Sequence, residues 1–315
     1  MRYNKIRVWL QNEAKTGKTT TGKNFGPAYK QQIAQYGKWC EEHIGRRASP
    51  EEAHARVQDY LNELKSTKAP ATVKTACAAL SAVFHDTMSK YDIGSVSAVS
   101  SKGRSGDFAR SANAARPVEF NQLVGIRQDE VRHQLGRDFV RDPARNCAWV
   151  HVERGKGGKE QWQYIRPELV ERVAKFYEGK QPNERIFSQV EQNASRHANL
   201  HECRRSAAQS AYRYYCSLDS KSRDELRQLV EHRFRETGNG RKWDGYDYTD
   251  RQGNRRHHIG VGEHLDRPYV CRGPVREAML AAGRPVEYDR LAIIAVSVLD
   301  LSHWREDVTV SHYMV

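Results

Sequence analysis

Apolar residues recur at helical spacing through the first ninety residues. Tyr29, Ile33, Tyr36 and Trp39 share one face of a 3.6-residue period. Ala53, Val57, Tyr60, Leu61 and Leu64 share a second, and Val73, Cys77, Leu80, Phe84 and Met88 a third. Ahead of the second stripe, Ser49-Pro50-Glu51-Glu52 reads as a capping box. The serine accepts from first-turn amides, proline suits the first helical position, and Glu52 reaches back. Pro70 ends the connecting segment before the third stripe. A helical domain over 1–95 is expected. Beyond it Gly94 to Ser101 is made of small residues, and Lys102-Gly103-Arg104-Ser105-Gly106 has no apolar anchor, which predicts an interdomain linker at 96–110.

The remainder, 111–315, mixes two periods. Val118, Leu123, Ile126 and Val131 predict a helix around Arg127. Cys147 to Arg154 alternates as a strand does, Gly155-Lys156-Gly157-Gly158-Lys159 makes a tight turn, and Trp162 to Ile165 forms the return strand. Pro167 opens a helix carrying Leu169, Val170, Val173 and Phe176; Leu200 to Tyr215 is a further helix, and Leu291 to Leu301 a buried one. Residues 217–285 have a texture of their own. Leu226, Leu229, Val230 and Phe234 fit a short amphipathic helix, and Gly238 to Gly262 is rich in Gly, Arg, Asp, His and aromatics. Within it Tyr246-Asp247-Tyr248-Thr249 is expected to pair with Arg255-Arg256-His257-His258-Ile259 across Asp250 to Asn254. The fold class is therefore mainly α with a small antiparallel sheet (α+β).

Charge adds a partner to this picture. The 315 residues include 52 Lys and Arg against 39 Asp and Glu, a formal net charge of +13 spread along the chain. Such a surface favours a polyanion, of which nucleic acid is the default; a merely well-solvated basic surface is the plain alternative. Met1-Arg2-Tyr3-Asn4-Lys5 leads into polar sequence without an apolar signal region, and no run is long and apolar enough for a membrane span. Six scattered cysteines without a C-x-x-C pair suit a reduced, cytoplasmic protein with neither disulfides nor a zinc cluster. His232, His257, His258, His264 and Cys271 lack metal-ligand spacing. Lys15-Thr16-Gly17-Lys18-Thr19-Thr20 has Asn12 where a phosphate loop needs its first glycine, so a basic N-terminal arm near DNA is expected there.

Six residues could together carry chemistry at a phosphodiester, which needs a nucleophile, donors for the non-bridging oxygens and an acid for the leaving alkoxide. Tyr313 can be the nucleophile, because a phenol leaves well enough for the step to reverse. Arg127 and Arg204 offer planar, permanently charged forks for two phosphate oxygens. Lys156, at a glycine turn, can protonate the departing 5′ oxygen, with Lys159 as a substitute. His201 lies three residues before Arg204 on one helix face, so both can address one phosphate. His303 can donate to that phosphate or manage the tyrosine proton. Glu130 is expected to hold Arg127 or cap nearby amides, Trp304 to pack, and His312 to have no role. Tyr269 and Tyr288 are the competing tyrosines.

In order along the chain, these motifs resemble the tyrosine recombinase (phage-type integrase) family. Gly125-Ile126-Arg127-x-x-Glu130 resembles its first-arginine box and Gly155-Lys156-Gly157-Gly158-Lys159 its β-hairpin lysine. Leu200-His201-x-x-Arg204-Arg205-Ser206-x-Ala208 resembles its second box, and Leu301-Ser302-His303 with Tyr313 its third. The resemblance implies a core-binding (SAM-like) helical domain over 1–95 and a catalytic domain over 111–315. It implies site-specific cutting and rejoining of duplex DNA through a 3′-phosphotyrosyl bond, for integration or excision of a mobile element. No metal or cofactor is implied, because the covalent bond conserves the phosphodiester energy. The implied partners are double-stranded DNA, a homo-tetramer in the synaptic complex, and an accessory DNA-bending or directionality factor, all in the nucleoid. A DNA-binding protein of the same fold without cleavage activity, and a type IB topoisomerase-like nickase, are the alternatives.

Three features depart from the family. Ser302 stands where a glycine is usual, and His303 to Tyr313 is one residue longer than the common spacing. Arg204 to His303 is long, so 217–285 is expected to be an insertion, touching DNA, touching a neighbouring protomer, or lying as a mobile surface loop. The sequence stops at Val315, where relatives continue into a helix that docks on a neighbour; the contact between protomers is then expected to be made by other means or to be weaker.

Overall fold

The computed structural model describes residues 5–19, 22–94, 111–155, 158, 160–250 and 252–314, in two units, Met1–Ser97 and Ala98–Val315. The linker expected at 96–110, together with Lys156, Gly157 and Lys159 of the glycine turn, lies outside the described residues.

The first unit is helical: α1 (Lys5–Thr16), α2 (Pro27–His43), α3 (Pro50–Ala55), α4 (Val57–Thr67) and α5 (Pro70–Val83). The three stripes meet in one core, where Ile33, Tyr36, Leu61 and Leu80 are fully buried. Each such aliphatic side chain contributes roughly 1.5–3 kcal/mol by leaving water. The capping box forms as expected: Ser49 Oγ accepts from the Glu52 amide at 3.1 Å, and the Glu52 carboxylate accepts from the Ser49 amide at 2.7 Å. The basic arm expected at Lys15–Thr20 is different in its described part. Lys15 and Thr16 close α1, whose Ile6, Leu10 and Ala14 are buried in the same core. Thr19 then bonds back to Lys23 at 2.7 Å. A stripe at i, i+4 and i+8, with Trp9 stacked on Phe84 beside it, is enough to dock the helix.

The second unit contains α6 (Ala115–Val124), α7 (Gln128–His133), β1 (Phe139–Asp142), β2 (Cys147–Val152), β3 (Gln161–Ile165), α8 (Val170–Ala174), α9 (Gln189–Ser195) and α10 (Leu200–Cys216). There follow α11 (Ser220–Glu236), α12 (Gly240–Asp244), β4 (Tyr246–Thr249), β5 (Arg255–His258), β6 (Tyr269–Val270), α13 (Gly273–Ala281), β7 (Glu287–Tyr288), α14 (Arg290–Ala295) and α15 (Glu306–Tyr313). The fold is mainly α with small antiparallel sheets: β1-β2-β3, β4-β5 and β6-β7. Val150 pairs with Phe139 on one side and Gln163 on the other. Among the described residues, no helix is long and apolar enough to cross a membrane.

Helix α10 is the spine of this unit. Its Leu200 and Cys203 belong to a core formed with α6, the three-stranded sheet, α8 and Phe187. Its Ala208, Ala211 and Tyr215 belong to a second core, formed with α11, α14 and α15. Arg204 falls between the two sets, at the junction of the cores.

Several expectations need correction. The helix predicted through Arg127 is broken. Gly125 ends α6 in the left-handed conformation, φ +72°, and Arg127 is extended (φ −75°, ψ 156°) as the residue capping α7. A side chain at Gly125 would be strained by that φ and would place its Cβ 3.1 Å from Ala207 Cβ. Pro167 opens a 3-10 turn before the short α8. The buried helix expected over Leu291–Leu301 is α14 followed by a π turn, Val296–Asp300, with the Leu301 amide bonding Val296 O at 2.9 Å. The helix in 217–285 is long rather than short, at 17 residues, and its Leu226, Val230 and Phe234 enter the same core as Ile293, Val310 and Tyr313. That part of the segment is therefore core structure and not a surface loop. The predicted hairpin forms as β4–β5, with Tyr246 opposite His258 and Thr249 opposite Arg255.

Candidate active site

Arg204 is 1% exposed, and three of its N–H groups have protein acceptors. Nη1 donates to the Gly125 carbonyl, Nη2 to the Leu301 carbonyl at 2.7 Å, and Nε to Tyr313 Oη at 3.2 Å. The residue ties together the turn leading to Arg127, the turn leading to His303, and the tyrosine. Gly125 can offer its carbonyl because the left-handed turn exposes it to α10. Burial, chiefly, lowers the pKa of the guanidinium; the Tyr313 phenol opposes that effect, and nearby Arg127 adds to it.

Tyr313, on the last turn of α15, is 8% exposed. Its ring centroid lies 5.9 Å from that of His201, 5.8 Å from that of His303 and 5.7 Å from Arg204 Cζ. Gln209 Nε2 holds the Tyr313 carbonyl at 3.1 Å. Helix α15 thus delivers its tyrosine among the side chains that the sequence pattern assigned to one phosphate.

Arg127 is held by Glu130, itself buried, whose carboxylate accepts from the Arg127 amide at 2.7 Å and from Nη1 at 2.9 Å. Gln161, at the start of β3, lies 3.5 Å from the same Nη1. Ser302 and Trp304, on either side of His303, have φ of +47° and +58°. Glycine takes the left-handed conformation freely, whereas other residues lose about 1 kcal/mol or more. Here Ser302 Oγ donates to the Trp162 carbonyl at 3.2 Å, which pins the strained turn to β3. Trp304 packs as expected, with Phe234 edge-on at 5.0 Å. A cleft of about 920 Å³ is lined by Arg127, Glu160, Gln161, Ser302, His303, Trp304 and Arg305, and by Arg233, Thr237, Asn239 and Lys242 of the 217–285 segment.

Both ring nitrogens of His303 are buried without a hydrogen-bond partner among the described residues. Burial, then Arg204 and Arg127, push its pKa down to about 3, with Asp307 pulling the other way. At neutral pH the ring is neutral, with one N–H to donate. His201 is exposed by area, but crowding on its ring side and then the Arg205 and Arg204 charges lower its pKa as well.

The depressed His303 pKa has a consequence for stability. The unfolded chain takes up a proton near pH 6.5, which the folded ring refuses until about 3, so stability is lost as pH falls through that window. Asp300, pushed up to about 7 by burial, works in the opposite sense, gaining stability as pH falls below 7. Comparing wild type with His303→Gln isolates the histidine. In urea unfolding at pH 7 and pH 4.5 the variant is expected to lose less stability between the two conditions than wild type. Equal losses would overturn the assignment of a depressed pKa to His303.

Of the six residues singled out in the sequence, Arg204, Tyr313, His201 and His303 come together, and Arg127 shares a cleft with His303. Lys156 lies outside the described residues. Tyr269 and Tyr288 pair with each other across β6 and β7, and burial pushes both up to about 12. Gln161, Gln209, Arg233 and Lys242 were not foreseen. The only available signal was the Leu226–Val230–Phe234 stripe, which shows the buried face of α11 but not what that face packs against.

No family model and no curated protein matches the chain. Among solved structures it is similar to one described as the crystal structure of XerH site-specific recombinase bound to palindromic difH substrate in a post-cleavage complex. The identity is 12% over 68% of this chain and 85% of that chain, with a TM-score of 0.39. Likeness at that level decides neither fold nor activity.

Proposed function

We propose that the chain is a tyrosine-type site-specific DNA recombinase that cuts and rejoins duplex DNA for integration or excision of a mobile element. The observation that carries this reading is the Tyr313 hydroxyl 3.2 Å from the Nε of buried Arg204, with the His201 and His303 rings beside it. Four residues from two distant stretches of sequence, 201–204 and 303–313, meet there, which supports phosphoryl transfer to the phenol.

In the proposed reaction Tyr313 Oη attacks a DNA phosphorus. The P–Oη bond forms, the P–O5′ bond breaks, and the 5′ oxygen leaves as a hydroxyl with a proton supplied by Lys156. Arg204, with three N–H groups engaged on the protein, has two left for phosphate oxygens. Arg127, held by Glu130, supplies the second clamp. His303, neutral and with both nitrogens unpartnered, donates to a non-bridging oxygen. His201, also neutral, takes the tyrosine proton. A 5′ hydroxyl from a partner strand reverses the sequence, so the energy of the phosphodiester is kept and no cofactor is consumed. Duplex DNA and a tetramer of this chain on paired sites complete the proposed assembly.

A nicked suicide duplex tests the reading, once the site has been mapped by footprinting or by sequencing element junctions. Loss of the short 5′ strand is expected to trap a covalent protein–DNA adduct that resists boiling in detergent. No adduct from wild type on a verified site would leave a DNA-binding protein without cleavage activity. Relaxation of a plasmid lacking the site would favour the topoisomerase-like alternative.

A further inference from the structure

One stretch of the cleft wall belongs to the 217–285 segment. Arg233 lies on the last turn of α11, Thr237 and Asn239 on the connection that follows, and Lys242 on α12. This wall is anchored to the site. Phe234 packs edge-on against Trp304 at 5.0 Å and, tilted, against Trp243 of α12 at 5.4 Å. The Val261 amide bonds the Lys242 carbonyl at 3.0 Å. Lys242 therefore precedes a residue, Trp243, that packs on Phe234, and Phe234 in turn packs on the residue following His303.

Charge pairing separates Lys242 from its neighbours. Arg127 is paired with Glu130 at 2.9 Å, Arg233 with Glu236 at 2.5 Å, and Arg305 with Asp307 at 2.6 Å. Among the described residues lining the cleft, Lys242 is the cation with no acidic partner, and it is exposed. The cleft, at about 920 Å³, is at the upper end of the range for pockets that enclose drug-sized ligands. It has room for more than the single phosphate addressed by Arg127 and Arg204. Asn239 and Thr237 add polar groups on the same wall.

We propose that Lys242 binds a DNA backbone phosphate neighbouring the one to be cleaved, so that the 217–285 segment forms one wall of the DNA site and holds the strand in register. This rests on the recombinase reading above. An ammonium on a flexible stem suits that role, because it neutralises a phosphate without requiring the planar geometry of the reacting one.

Fluorescence anisotropy with a 30-base-pair duplex, titrated across a series of KCl concentrations, tests it. Neutralising one phosphate contact contributes about 0.9 to the slope of log affinity against log salt. Lys242→Gln is expected to lower the wild-type slope by about that amount and to weaken binding by the same factor on unrelated sequences. Lys242→Arg is expected to keep the slope, which also guards against a folding defect at this position. Lys221→Gln, an exposed lysine at the start of α11 outside the cleft, is expected to leave it unchanged. Salt-dependent wild-type binding with an unchanged slope in Lys242→Gln overturns this inference alone, as does an equal drop in both glutamine variants. Wild type without salt-dependent binding would overturn the recombinase reading and this inference with it.

Discussion

Tyr313→Phe is expected to bind duplex DNA as wild type does and to form no covalent adduct on the suicide duplex. The substitution removes the proposed attacking oxygen while keeping the ring. That ring belongs to the core shared by α10, α11 and α15, and lies 5.9 and 5.8 Å from the rings of His201 and His303. Its packing survives the change. What is lost besides the nucleophile is the acceptor for Arg204 Nε at 3.2 Å. An unpaired buried donor costs roughly 1–3 kcal/mol, more when charged, so a small drop in unfolding free energy is expected with the near-UV circular dichroism retained. The prediction is therefore a separation: binding and tertiary signal present, adduct absent. Adduct formation by the variant would end the assignment of Tyr313. Simultaneous loss of binding, tertiary signal and adduct would mark the hydroxyl as a structural group.

The helical first unit was legible because its stripes are clean and its cap is written in four consecutive residues, Ser49 to Glu52. The β2–β3 hairpin was legible for a similar reason, with alternation on both sides of a glycine turn. What stayed hidden has physical causes. Val118, Leu123, Ile126 and Val131 keep a helical rhythm across Gly125 because α6 and the start of α7 bury side chains in the same core, and apolar rhythm carries no record of φ. The π turn at Val296–Asp300 is buried on every side, Ser297 and Asp300 included, so no exposed face distinguishes an α from a π hydrogen bond. Strand β1 is four residues long with an exposed middle, too short for alternation to register. The residues of the candidate site were legible as types at spacings. Their distances were not, because Arg204's carbonyl partners, Gly125 and Leu301, are backbone groups that any residue could supply. The role of 217–285 was the least legible, since a stripe on α11 announces burial without naming the surface that provides it.

Arg204→Lys is expected to reduce the rate of adduct formation by about 100- to 1,000-fold, the range seen when one preorganised donor to a developing oxyanion is removed. The reason is geometric. Arg204 meets Gly125 O, Leu301 O and Tyr313 Oη from three different nitrogens and still has two N–H groups free for a phosphate. An ammonium has three donors on a single atom, so it cannot reach three acceptors spread around a plane and also serve a phosphate. The charge is conserved in this variant, so the loss measures the fork rather than the field. Stability should move little by comparison. The ammonium keeps the buried charge and still has donors for part of the set, so the cost is that of one buried carbonyl left without its donor, roughly 1–3 kcal/mol. Single-turnover adduct formation at saturating protein, measured beside urea unfolding, separates the two effects. A wild-type rate in Arg204→Lys would mean that Arg204 serves only to brace the turns at Gly125 and Leu301. A slow rate with near-normal stability would place its remaining two donors on the phosphate, with the brace and the clamp carried by one side chain.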